Sequence, residues 1–385
     1  MAETTDIVII GAGIIGAAIA AHLAARGHSD VIVLEQAPQA VSGASARSAG
    51  GVRHQFSAAV NIRLSQLSVA KLDRFADEYD VDPGWRRSGY LLLFDDPAAW
   101  DAAQTNVARQ RTLGARVETL SPDAVAAHVP GTRLDDLVGA TFGPDDGVCD
   151  PHTIAMAYLR RAQDRGVQLR RATPVTAIHT DGAAVTGVTT AAGTIGCGVV
   201  VNAAGAWAGD VARLAGLPSP VRPFRRGIYL TGPVSQVPRH APMTIDIGSG
   251  FQFRPEMDRL LFGGAHPHEP SSFNTDVDWA YLDTLLDQGL HRFPFLAAAG
   301  VDRAKCWAGL YAVTPDHMPI LGRHPARAGY VDANGFSGHG VMHAPATGQL
   351  MAEEILDGRA HTIDIDELRV ARFDRETSGP ERVVF

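Results

Sequence analysis

The stretch from Ile7 to Glu35, IVIIGAGIIGAAIAAHLAARGHSDVIVLE, constrains this chain more than any other. An apolar run, Ile7 to Ile10, leads into Gly11, Gly13 and Gly16 at G-x-G-x-x-G spacing. An alanine-rich helical pattern follows and stops at Gly27, and a second apolar run, Val31 to Leu34, closes on Glu35. Strand, glycine turn, helix, strand and acid in that order describe a dinucleotide-binding unit. Gly11 makes the tight turn, Gly13 lets backbone approach a pyrophosphate, and Gly16 lets the helix lie on the sheet. The helix N-terminus, with Ile14 and Ile15 in its first turn, turns unpaired amides and a positive dipole end toward the phosphates. Glu35, followed by Gln36, is placed to accept hydrogen bonds from a ribose diol.

The same residues could be read as a membrane anchor. Ile7 to Ala25 contains no Asp, Glu, Lys or Arg and is long enough to cross a bilayer. Its N-terminal flank is acidic (Glu3, Asp6) where a signal peptide carries basic residues. The expectation is therefore a nucleotide site, no membrane and a cytoplasmic protein.

At 385 residues two domains are expected. A net charge of −8 gives no reason to expect a nucleic-acid partner. Cys149, Cys197 and Cys306 lie far apart with no CxxC, which fits reduced thiols. His266-x-His268 and His339-x3-His343 are close histidine pairs without nearby acid or thiol partners, so no metal site is expected. Only two lysines occur, Lys71 and Lys305, which limits what lysine chemistry can be built here.

Beyond Glu35, residues 37–56 form a Gly/Ser/Ala-rich loop ending in Arg53-His54, suited to lie against phosphate and a flat ring. A helix is expected over 61–79, a strand over 89–94, a helix over 97–113 and a capped helix start at Ser121. Asp150-Pro151-His152 opens a helix to Arg165. Strands are expected over 168–171, 175–179, 185–190 and 195–201, the last running into a second small-residue turn, Asn202 to Trp207. Pro218 to Pro223 reads as a boundary. Strands over 226–230, 243–247, 250–254 and 259–263 and a helix over 278–293 follow. Tyr330-Val331-Asp332 reads as a short strand leading to a helix over 341–356, and the last fifteen residues as a polar, mobile tail.

The ordered set GAGIIG with Glu35, GASARSAGGVRH, VVVNAAGAW, AGLYAVTPDHMPILG and GFSGHGVMHAPATG resembles the D-amino-acid oxidase superfamily of FAD enzymes. The closest resemblance is to the branch of sarcosine oxidases and sarcosine-oxidase β-subunit-like amine oxidoreductases, and it covers nearly the whole chain. It implies an α/β protein with an α+β second domain. A Rossmann-like FAD-binding domain of the glutathione-reductase type (1–80, 145–217, 305–385) would interleave with a mostly antiparallel β-sheet substrate domain (81–144, 218–304). It implies that Ser42, Ser45 and Arg47, with Ser48, Ala49, Gly50 and Gly51, line the path from pyrophosphate to flavin. Val175 would meet the adenine, and Ala204, Gly205 and Trp207 the middle of the cofactor. Gly338, His339, Gly340, Val341 and Met342 would aim helix amides at the flavin pyrimidine oxygen.

The implied partners are a small amine or amino-acid substrate and O2 or another electron acceptor; oligomers are left open. In such enzymes an amine loses a hydride equivalent to flavin N5 and the imine is hydrolysed. Arg53 matches the position that holds a substrate carboxylate, and an arginine fork suits that task. Tyr311 matches an aromatic bordering the pocket, and His54, His266 and His339 are weaker candidates for a polar group near the amine. The residue matching the family's flavin-bonding cysteine is Gly309, which implies non-covalent FAD, and Cys149 falls where relatives carry a flavin-bonding histidine. Two lysines of sarcosine oxidases fall near Leu261 and at Met342, which points to a larger or less polar amine or to an acceptor other than oxygen. Other readings are a flavin-dependent dehydrogenase of 2-hydroxy acids or glycerol phosphate, and a flavoprotein subunit without turnover. A flavin monooxygenase would carry a GDAAH-like segment where this chain has GFSGHG, and no second GxGxxG is visible for a nicotinamide.

Overall fold

The computed structural model describes residues 3–374 and 380–381. Two large sheets organise the chain. The first has six strands in the order Ile320–Arg323, Tyr330–Asn334, Val199–Asn202, Ile7–Ile10, Val31–Leu34 and Gln168–Arg170. All its pairs are parallel except the one joining Ile320–Arg323 to Tyr330–Asn334. The inner strands Ile7–Ile10 and Val31–Leu34 are buried along their length, so they read as unbroken apolar runs rather than alternating patterns.

The helix Ile14–Ala25 follows the glycine turn and is buried almost all round. It packs against the helices Pro151–Asp164 and Gly340–Leu356, which explains why it is built of alanine: neighbours on several sides leave no room for longer side chains. No helix among the described residues is long and apolar enough to cross a membrane. The anchor reading fails because the apolar run is a strand, a turn and a twelve-residue helix.

The second sheet has eight strands in the order Trp307–Val313, Arg222–Leu230, Arg259–Gly263, Gln252–Glu256, Met243–Asp246, Tyr90–Phe94, Gly139–Gly143 and Glu118–Leu120. Its pairs are antiparallel except Met243–Asp246 with Tyr90–Phe94. One face packs on the helix Trp279–Arg292 through Tyr229, Phe251, Phe262 and Leu285. A small four-stranded sheet and a two-stranded pair, Gly51–Val52 with Gly147–Val148, complete the fold.

Several sequence expectations are corrected. The helix expected over 61–79 runs from Ala59 to Leu72, breaks at Asp73-Arg74 and resumes as Phe75–Tyr79. The strand expected over 195–201 is two strands in different sheets: Gly193–Gly196 pairs with Ala184–Thr190, and Val199–Asn202 joins the parallel sheet. An apolar run cannot reveal such a change of partner. Pro223 lies inside Arg222–Leu230, an adjacent strand pairing it with Ala312, rather than at a linker. Trp307–Val313, expected with the nucleotide segment from 305 onward, hydrogen-bonds into the eight-stranded sheet. Ser121 precedes the short helix Pro122–Val125 but its side chain makes no capping bond.

The expected mobile tail is only partly a tail. Arg372 is buried in an ion pair with Asp316, and Glu381 is 2% exposed. Residues 375–379 and 382–385 of that stretch lie outside the described residues.

Candidate functional site

The glycine turn is built as its spacing implies. Gly11 has φ +108, and a Cβ there would sit 2.5 Å from the Ala203 carbonyl oxygen, so only glycine fits between the first strand and the Asn202–Trp207 turn. A Cβ on Gly16 would meet the Gly11 oxygen at 2.0 Å, so this glycine seats the helix directly on the turn. Gly13, the residue before the helix, has no closer neighbour for a Cβ than Ser45 Oγ at 3.4 Å and provides no side-chain cap. The Ile14 amide donates to Ser45 Oγ at 3.0 Å, and Ile15 follows it in the first turn. A buried helix start without its own cap is an anion site in waiting.

Glu35 accepts from the Ala12 amide at 2.9 Å and the Ala37 amide at 2.8 Å. It therefore ties the glycine turn to the end of the second strand. Gln36 is exposed. Ser42 Oγ donates to the Gln39 carbonyl. Val175 opens an edge strand opposite Thr190, and Ala204 and Gly205 form the turn that meets Gly11. Trp207 stacks on Phe273 with centroids 5.4 Å apart.

The loop expected to cover the cofactor bridges both sheets. Arg47 Nη1 donates to the Ala308 carbonyl at 2.9 Å and the Trp307 indole donates to the Arg47 carbonyl at 3.1 Å. A Cβ on Gly309 would press on Arg47 Cβ at 3.0 Å. Ser48 Oγ accepts from the Gly50 amide, Ala49 takes a hydrogen bond from Arg254 at 2.6 Å, and Gly51 lies against the Tyr90 hydroxyl.

Past this loop opens a cavity of about 630 Å³, counted out to its mouth, between the eight-stranded sheet and the start of the helix Gly340–Leu356. Arg53, Tyr311, Gly338, His339 and Met342 line it together. Gly338 has φ +94 and leaves room for the Tyr311 ring, which a Cβ would strike at 2.4 Å. The helix Gly340–Leu356 has no side-chain cap at its buried N-terminus. Its first turn, Gly340 to Met342, leaves backbone amides and a positive dipole end that stabilise negative charge nearby.

Arg53 is 2% exposed. Its guanidinium lies 3.9 Å above the Phe56 ring, donates to the Gln55 carbonyl and meets His339 Nε2 at 3.3 Å. Burial pulls it below the ordinary arginine range. An arginine can only donate, so His339 Nε2 accepts and the ring proton sits on Nδ1. That Nδ1 is buried without a partner. Burial first, and then the Arg53 charge, hold His339 well below the usual histidine range, so the ring is neutral. Burial pushes the Tyr311 and Tyr90 phenols up, so neither is an anion at neutral pH.

Two candidate histidines do not reach the cavity. His54 Nδ1 and its backbone amide both meet Asp146 Oδ1, at 2.7 and 2.8 Å, and Asp146 also takes Gln55 Nε2. This buried pair fixes the backbone that carries Arg53. His266 packs edge-on to Tyr281 on a surface loop, with its Nδ1 accepting from the His268 amide. Sequence reading missed Tyr90, Ser337, Gln252 and Phe253, which also line the cavity. Tyr90, Gln252 and Phe253 come from strands whose facing no motif marks, and Ser337 lies in the turn of the GFSGHG motif. Leu261 lines it too, so Leu261 and Met342, the positions expected to match two lysines of sarcosine oxidases, are both apolar cavity walls. No cluster of three or more potential metal ligands occurs among the described residues.

Uncapped buried helix starts, a glycine turn with space at Gly13 and an orphaned buried imidazole N–H fit a dinucleotide whose ring reaches the cavity. The comparisons agree. A Xenopus laevis FAD-dependent oxidoreductase domain-containing protein 1 is 32% identical over 96% of this chain and 83% of its own length. Rat mitochondrial dimethylglycine dehydrogenase is 27% identical over 98% of this chain, which spans 46% of that longer protein. The crystal structure of L-proline dehydrogenase from P. horikoshii matches with a TM-score of 0.90 at 30% identity, covering 97% of this chain and 99% of that one. The profile of the family described as DAO, FAD dependent oxidoreductase, matches residues 6–354, and the chain belongs to that family of FAD-dependent oxidoreductases.

Proposed function

We propose that this protein oxidises the carbon–nitrogen bond of an amine that carries a carboxylate, with N-alkyl or cyclic secondary amino acids as the favoured class. The observation that carries the reading is Arg53. Among the described residues it is the only charged side chain lining the cavity, and it stands beside the uncapped start of the helix Gly340–Leu356. The names of two relatives, L-proline dehydrogenase and dimethylglycine dehydrogenase, denote amino acids with a substituted nitrogen.

Bound FAD supplies a two-electron acceptor for a hydride equivalent from the carbon beside nitrogen, and water hydrolyses the resulting imine. The rest is done by this chain. Arg53 draws the carboxylate and fixes the α-carbon, in an apolar wall of Phe253, Leu261, Phe262 and Met342 that excludes bulk water. Neutral His339 holds the guanidinium through Nε2 and keeps a donor on Nδ1. Tyr311 borders the substrate. The helix start at Gly340 stabilises negative charge on the ring edge by about 0.3–1 kcal/mol or more when buried. Gly11, Gly13, Ile14, Ile15, Glu35, Ser45 and Arg47 would hold the dinucleotide. Gly309 offers no nucleophile, so FAD is held without a covalent bond. Leu261 and Met342 add no cation to the cavity, which favours an electron acceptor other than oxygen. The division of labour is a nucleotide domain built on the parallel sheet and a substrate domain built on the eight-stranded one. Three free cysteines suit the reducing cytoplasm.

The test compares an N-methyl amino acid with its carboxamide in the wild type and in Arg53→Ala. The carboxylate substrate should lose at least tenfold in kcat/KM, mostly through KM, while the carboxamide is little affected and flavin content is kept. Equal losses for both substrates would remove the carboxylate role.

A further inference from the structure

The strand Arg222–Leu230 carries two consecutive arginines with opposite fates. Arg225 is neutralised by two carboxylates, Glu269 Oε2 at 3.0 Å and Asp278 Oδ2 at 2.8 Å. Arg226, pointing to the other face, has no ion-pair partner among the described residues. Its Nη1 donates to the Arg225 carbonyl at 2.9 Å, and its Nε is buried without a partner. The face it occupies is the face of the candidate site. Ile228, two residues on, lines the cavity. Arg226 stands opposite Gly309 in the register, and its guanidinium lies 5.1 Å over the ring of Tyr311, another cavity wall. The charges of both Arg53 and Arg226 act on the Tyr311 phenol.

A cation with a buried nitrogen and no counter-ion is costly to keep. The same strand shows that this fold supplies carboxylates where an arginine needs them. We infer that Arg226 is a specificity-determining residue that takes a second anionic group of the substrate, so that the preferred class is an amine with two carboxylates rather than one. The inference rests on the proposed reading that Arg53 holds the first carboxylate. The other source of an anion at this place is the dinucleotide itself, because Gly309 also faces Arg47.

The experiment uses the flavin-loaded protein and unreactive probes. Succinate, glutarate and adipate are titrated against butyrate, pentanoate and hexanoate, and the flavin absorption spectrum reports binding. At least one diacid should bind about tenfold or more tighter than its matched monoacid. The ratio should fall toward one in Arg226→Met and persist in Arg226→Lys, each with wild-type flavin content. An unchanged ratio in Arg226→Met, no preference in the wild type, or no binding of any probe would overturn the inference. Loss of flavin from Arg226→Met with the ratio retained would do the same, because it assigns the cation to the cofactor. Arg53→Met separates the two claims: it should weaken monoacids and diacids alike. If it weakens neither while the Arg226 ratio still collapses, the Arg53 reading fails and the second-anion site stands.

Discussion

His343 and His22 predict how this protein loses stability in acid. His343, on the closing helix, is fully buried and meets Ser65 Oγ at 3.1 Å. Burial, reinforced by the Arg53 charge, pulls it down from 6.5 to about 3. His22, packed against Tyr158 and beside Lys71, is pulled down by burial to about 4. In both cases the folded state favours the neutral ring, so between pH 6.5 and these values the unfolded chain binds more protons. Each ring's contribution is present above pH 6.5 and is lost as pH falls toward the folded value. At pH 5 the unfolded form of each gains about 2 kcal/mol by protonation, whereas at pH 7.5 it gains about 0.1. The pair therefore costs roughly 4 kcal/mol at pH 5, a large share of the stability of an ordinary protein.

Other groups titrate in the same window, so the test is a difference. Urea denaturation at pH 7.5 and 5.0 is compared between the wild type and His343→Gln, which can still meet Ser65 but does not titrate. The variant is less stable at pH 7.5, yet its further loss on going to pH 5 should be smaller by about 2 kcal/mol. The same pH dependence in both proteins would refute a neutral, buried His343.

The C-terminal Glu381 accepts from the Ser57 amide and hydroxyl, the Ala58 amide and Asn61 Nδ2, all at 2.6–3.0 Å, at the start of a helix with no cap of its own. Glu381→Ala should cost about 2–4 kcal/mol in thermal or chemical denaturation, and a change below about 0.5 kcal/mol would show the contact to be idle. Acid precipitation should release yellow flavin into the supernatant, the outcome expected from a glycine at 309; colour retained in the pellet would contradict non-covalent binding.

What could be read from sequence divides along a physical line. The glycine turn was legible because its requirements are local: φ at Gly11 and the contact of Gly16 with the turn are set within a few residues. Glu35 could be named from its place after the second strand, but not its grip on the Ala12 and Ala37 amides. Arg53 and His339 could each be named from motifs, whereas their hydrogen bond joins positions 286 residues apart and needed the fold. His54, a weaker candidate in the same motif as Arg53, is claimed by Asp146 from a turn 92 residues away. Tyr90 and Arg226 sit in strands whose facing depends on register with partners far away in sequence. The split at Cys197-Gly198 was invisible because which sheet each side joins depends on partners distant in sequence.

The central claim is oxidation of an amine at the Arg53 cavity, and an anaerobic spectrum tests it most directly. The purified flavoprotein is mixed with pooled secondary amino acids, then separately with pooled 2-hydroxy acids, and air is admitted after any bleaching. The account predicts bleaching by the amino-acid pool alone, with slow recovery in air and fast recovery with an artificial acceptor. Bleaching by the hydroxy acids instead, or by neither pool, would contradict it.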